Sequence, residues 1–157
     1  MQKIILSLII AICLLSCGDS NPKTSGAEPP KKLIIEIKSI VGKSEAEVEK
    51  ILGKAEKTEK VNPGKTPCPC DKLYYKSGKY EIVFINGKAD WITIYDVSDL
   101  DTDENVIELL GLPKTEPDFN SPHNVMRWNN VANIKEVTFF DNGSGKIDYI
   151  YIKFETE

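Results

Sequence analysis

The chain has 157 residues, with 20 Lys and Arg against 24 Asp and Glu, a formal charge of −4 and 41% apolar residues. This length supports one domain or two small intimate halves. The acidic balance gives no electrostatic reason to bind nucleic acid or to grip anionic lipid through basic side chains.

At the N-terminus, Lys3 precedes an apolar run from Ile4 to Leu15 that is broken only by Ser7. A membrane-spanning helix needs about 20 apolar residues, so residues 1–16 read as a signal peptide instead. The run ends in Leu14-Leu15-Ser16-Cys17, which resembles the lipobox of bacterial lipoproteins. That resemblance implies cleavage before Cys17, lipid on Cys17, and a membrane hold through acyl chains in the bacterial envelope. Gly18, where an aspartate would signal inner-membrane retention in enterobacterial lipoproteins, points to the outer membrane. Residues 17–31 carry no large apolar side chain after the cysteine and include Pro22, Pro29 and Pro30, which is the composition of a solvated tether.

Lys31 to Val41 is rich in β-branched residues and reads as a leading strand or an extended lead-in. Ser44 with Glu47 is a capping-box signature, Val48, Ile51 and Leu52 form an apolar stripe, and Gly53 stops the helix. Lys54 to Asp71 reads as a loop. Strands are predicted at Leu73 to Lys76, Lys79 to Ile85 and Lys88 to Tyr95, the last two joined by an Asn86-Gly87 hairpin turn.

The same order then returns. Val48, Leu52 and Gly53 recur as Val106, Leu110 and Gly111, and Asp90, Ile92 and Ile94 recur as Asp148, Ile150 and Ile152, always 58 positions on. A second helix is expected from Thr102 or Asp103 to Leu110, a loop from Lys114 to His123, and strands at Val125 to Asn129, Ile134 to Phe140 and Lys146 to Phe154. The expectation is an α+β fold of two tandem αβββ-like repeats, residues 32–98 and 99–157, with short helices packed on antiparallel sheet. Each helix would be marginal alone and needs the sheet to hold it.

The stretch Gly42-Lys43-Ser44-x-x-Glu47-Val48-x-x-Ile51-Leu52-Gly53, with Tyr74-Tyr75, Ile82 to Phe84 and Asn86-Gly87-Lys88, resembles the SmpA/OmlA family. That family supplies a small accessory lipoprotein to the outer-membrane β-barrel assembly machine. The tandem arrangement is similar to the β-lactamase inhibitory protein family, whose two α+β halves present a concave sheet to a partner. Both resemblances imply a protein-binding role.

Alternation in the closing strands puts Ile92, Ile94, Ile150 and Ile152 on a buried face and Trp91, Thr93, Tyr95, Tyr149 and Tyr151 on the opposite one. Aromatic residues on an uncovered sheet face are either partner-binding hot spots or strand formers that cover the sheet for its own sake. Cys68-Pro69-Cys70 can close a disulfide; metal or redox handling by this pair is the alternative function. His123 lies in a loop with no nucleophile signature near it, and Asn142 to Asp148 reads as a hairpin turn and not a calcium loop. The expected protein is therefore a non-enzymatic envelope lipoprotein without cofactor or metal, docking an envelope protein through its aromatic sheet face.

Overall fold

The computed structural model describes residues 32–63 and 69–155. The expected signal peptide, tether and lipidation site at Cys17, together with Cys68, lie outside the described residues. Among those described, no helix is long and apolar enough to cross a membrane.

The strands are β1 (Lys57–Val61), β2 (Cys70–Tyr75), β3 (Tyr80–Ile85), β4 (Lys88–Ile94), β5 (Phe119–Ser121), β6 (Val125–Val131), β7 (Ile134–Asp141) and β8 (Ile147–Lys153). They form one antiparallel sheet in the order β1-β2-β3-β4-β8-β7-β6-β5. The first four strands follow one another outward to inward, the last four return, and β4 meets β8 at the seam. Ile92 pairs with Ile152 there, and Thr93 with Tyr151.

This is a mostly β protein, which corrects the expected pair of αβββ repeats. The described residues hold one α-helix, α1 (Glu45–Leu52), and four strands precede and four follow the midpoint where three had been expected on each side. The second expected helix is a five-residue 3-10 turn, Val106–Leu110. Its start is held back because Thr102 N–H donates to Gly145 O at 2.9 Å and Asp101 bridges to Lys146. Its end is fixed by Gly111, whose left-handed φ of 70° stops it. Too few residues remain between these anchors to repay the nucleation of an α-helix.

β1 and β5 occupy stretches read as loops. Lys-Thr-Glu-Lys-Val is polar on both faces, which suits an edge strand and leaves no hydrophobic alternation to detect. The leading segment is not a strand either. It forms a 3-10 turn at Ile37–Ser39, and Ile37 and Ile40 are fully buried.

The helix follows its local signals. The Ser44 backbone N–H and hydroxyl both donate to the Glu47 carboxylate, at 2.9 and 2.8 Å. Val48 and Leu52 enter the core, whereas Ile51, expected in the same stripe, is 46% exposed. The hairpin turns follow theirs as well: Asn86 and Gly87 both take positive φ, as do Ala132 and Asn133 between β6 and β7.

One hydrophobic core covers the inner face of the whole sheet. It runs from Leu73, Ile82 and Ile92 through Ile152 and Phe139 to Trp128, and is closed by Val48, Ile37, Val106 and Leu110. At the margin, Gly42 has φ +70°, and a Cβ there would lie 2.7 Å from the Phe154 ring, so only glycine lets the lead-in pass the end of the sheet.

Tyr75 is fully buried in this core and its hydroxyl finds no partner. Burial pushes its pKa far above the ordinary tyrosine value, and Glu45 and Glu49 of α1 add to the shift. Because a buried donor without an acceptor costs stability, Tyr75→Phe is expected to leave the protein equally stable or to stabilise it by up to about 1 kcal/mol. Thermal denaturation checks this; a clear loss of stability would show that the hydroxyl has a partner.

Candidate functional site: the open sheet face

Antiparallel register carries every second side chain to the face opposite the core. Across the middle of the sheet, Lys57, Tyr74, Glu81, Thr93, Tyr151, Thr138, Arg127 and Phe119 are successive cross-strand partners. The adjacent row runs Glu59, Lys72, Val83, Trp91, Lys153 and Glu136. Among the described residues no helix lies over these rows.

The seam brings the sequence-expected residues together. Trp91 and Thr93 stand on β4, Tyr95 just beyond it, and Tyr149 and Tyr151 on β8. Trp91 meets Tyr151 edge to face, with centroids 6.2 Å apart and planes at 74°. Tyr95 lies 6.1 Å from Tyr149, which stacks on Phe140 at 4.4 Å. Tyr95 is 38% exposed, and Trp91, Thr93, Tyr149 and Tyr151 are half-buried.

What shields them is one another and long charged side chains. Lys153 Nζ sits over the Trp91 ring at 5.2 Å, and Lys57 and Lys72 both lie 4.9 Å from the Tyr74 centroid. Lys72 pairs with Glu81, and Arg127 Nε is 3.4 Å from Glu136 Oε1. Thr138 is fully buried beneath this network, accepting from Arg127 Nε at 3.1 Å and donating to Glu136 Oε1 at 2.7 Å. The face is an aromatic layer inlaid with compensated ion pairs.

Sequence reasoning missed Phe140, Phe119, Lys153 and the Lys72–Glu81 pair. Phe140 was legible in the alternation Glu136, Thr138, Phe140. Phe119, 51% exposed at the sheet edge, was not, because β5 itself was hidden.

Next to Trp91 lies a depression of about 230 Å³. Val61, Asn62 and Pro63 at the end of β1 form one wall, Val83, Trp91 and Tyr151 the other, with Lys72, Glu81 and Thr93 between them. Cys70 stands on the same face. It is disulfide-bonded and packs with Val83 and Ile85 against Val61 and Trp91. The chain's other cysteines lie outside the described residues.

His123 lines a separate polar hollow of about 440 Å³ with Asn105, Asn124 and Asp141, at the far end of the second four strands. The Asp141 carboxylate there accepts from the Gly143 and Gly145 N–H groups at 2.6 and 3.1 Å, so residues 141–145 act as a turn. Among the described residues no group of three or more His, Cys, Asp or Glu is placed to hold a metal ion.

Burial pushes the Tyr151 phenol up to about 12, and the Glu136 and Asp90 carboxylates add to the shift. An unfolded tyrosine ionises near pH 10, so above that pH the unfolded chain releases a proton that the folded chain retains. Stability present below pH 10 is therefore expected to fall as pH rises toward 12. Urea unfolding across this range checks it. Tyr151→Phe should make the fall shallower, and an unchanged slope would contradict the buried phenol.

No family model and no curated protein matches the chain. A solved structure, a cysteine-rich secretory protein from Staphylococcus aureus, is similar to it at 14% identity and a TM-score of 0.46, over 80% of this chain and 47% of that one. The chain thus spans about half the length of that protein. The expected resemblance to the SmpA/OmlA and β-lactamase inhibitory protein families is overturned by the fold, since one mostly β sheet of eight strands stands where helix-plus-sheet repeats were expected.

Proposed function

We propose that this chain is a non-catalytic docking module, held on the bacterial envelope by lipid on Cys17, that takes an envelope protein across its open sheet face. The observation that carries the reading is the group formed by Trp91, Tyr95, Tyr149 and Tyr151 at the β4–β8 seam and Phe140 on the adjoining β7, with no described helix over it. Aromatic residues in a half-desolvated layer rimmed by charges have the make-up of an interface centre. Acyl chains at Cys17 would supply the membrane hold, and residues 17–31 the reach.

A photo-crosslinking amino acid at Tyr95, exposed at the edge of the group, tests this in intact cells, with Lys50 on α1 as the off-face control. Tyr95 is expected to capture a protein that Lys50 does not, and the Trp91→Ser, Tyr149→Ser double variant to lose the capture by about 30-fold, the scale of a hot spot. Equal capture from both positions would sink the docking face. Cys70→Ser separates the alternative: a docking module keeps its partner, whereas a redox or metal-handling protein loses its activity.

A further inference from the structure

We infer that the depression beside Trp91 is a socket for one aromatic side chain with a polar tip, tyrosine or tryptophan, on a partner segment that carries an acidic residue next to it. The inference rests on the docking reading and specifies what the face recognises.

Size comes first. About 230 Å³ falls below the roughly 300–1,000 Å³ of pockets that enclose a small-molecule ligand or cofactor, and suits a single large side chain. Chemistry then narrows the occupant. Val61, Pro63, Val83 and the Trp91 ring offer apolar contact, but the Lys72–Glu81 ion pair crosses the cup, with side chains only 24% and 20% exposed. An aliphatic side chain entering there would strip water from both charges and return nothing. A tyrosine hydroxyl or an indole N–H instead donates to the Glu81 carboxylate while its ring rests on Val83 and Trp91.

Charge beside the cup, on the far side of Trp91, selects the neighbour. Glu81 is occupied by Lys72, whereas Lys153 lies on Trp91 with its charge directed over the ring. A carboxylate flanking the anchor residue would meet Lys153, and a cation there would be repelled.

The test titrates the isotope-labelled, lipidated mature chain in micelles with N-acetyl-Glu-Tyr-amide, N-acetyl-Glu-Leu-amide and N-acetyl-Lys-Tyr-amide, following the Trp91 indole and Thr93 amide signals by NMR. The Glu-Tyr probe is expected to shift both signals with a Kd on the order of 1–10 mM, the range for so small a ligand. The other two should bind about 10-fold more weakly. Glu81→Gln should weaken the Glu-Tyr probe by about 10-fold and leave the Glu-Leu probe unchanged. Thr93→Trp should fill the cup and abolish the response while leaving the core untouched. Equal response to the tyrosine and leucine probes, or none to any, overturns the socket. If the probes fail while crosslinking from Tyr95 still captures a protein, the socket is lost and the docking face stands; if both fail, both are lost.

Discussion

Replacing Trp128 with alanine is expected to lower stability by about 3–5 kcal/mol. Trp128 is 1% exposed, packs edge to face on Phe139 with centroids 5.6 Å apart, and donates from Nε1 to Thr115 O at 2.8 Å. Three penalties coincide on its removal. The ring's transfer free energy is lost, a cavity opens between β6 and β7, and the Thr115 carbonyl loses its donor. That last contact ties the long approach to β5 onto the sheet, so the edge strand should loosen along with the core. Chemical denaturation measures the loss, and hydrogen exchange at Phe119 to Ser121 reads the loosening. A loss below about 1 kcal/mol would mean that the Trp128 site collapses without a cavity. Trp91→Ala makes the contrast, because its half-buried ring leaves less behind when removed.

Sheet residues proved far more legible in the sequence than the elements around them. Strands with one face in the core carry apolar residues at alternating positions over most of their length, and β3, β4, β7 and β8 lie within a residue or two of where that alternation puts them. The Asn86-Gly87 turn was equally plain, since positive φ at both positions leaves few alternatives to a tight hairpin. Helix content was not legible at Val106–Leu110. Its apolar residues are all buried as a helical stripe would be, but the chain on either side is pinned by Gly145 and Gly111, and this tertiary anchoring overrides the local period. β1 failed for the opposite reason. Lys57 to Val61 owes its conformation to pairing with β2 and has no buried face to declare it.

The candidate site divides in the same way. Trp91, Thr93, Tyr95, Tyr149 and Tyr151 could be placed on one face from the period of two alone. The cup beside Trp91 could not, because one wall belongs to the end of β1 and the Lys72–Glu81 pair depends on β2–β3 register. Sequence alternation assigns a residue to a face; the neighbours on that face come from register, which long-range pairing decides.

Register at the seam also decides whether the protein unfolds as one body. Ile92 and Ile152 are both fully buried and face each other where β4 meets β8, the only strand pair joining the first four described strands to the last four. Neither set of four strands closes its own core: Val48 and Ile37 on one side and Val106 and Leu110 on the other belong to one continuous cluster that crosses this pair. Unfolding one half would expose the inner surface of the other, which couples them into a single transition. Ile152→Ala is accordingly expected to cost about 2–5 kcal/mol and to lower both halves together. The chain supplies its own reporters, since Trp91 lies in β4 and Trp128 in β6. Fluorescence of Trp91 in a Trp128→Phe background, and of Trp128 in a Trp91→Phe background, should show the same shift in denaturation midpoint on adding Ile152→Ala. If Trp91 reports a transition that Trp128 does not share, the halves are separate folding units resting against each other, and the docking face divides with them.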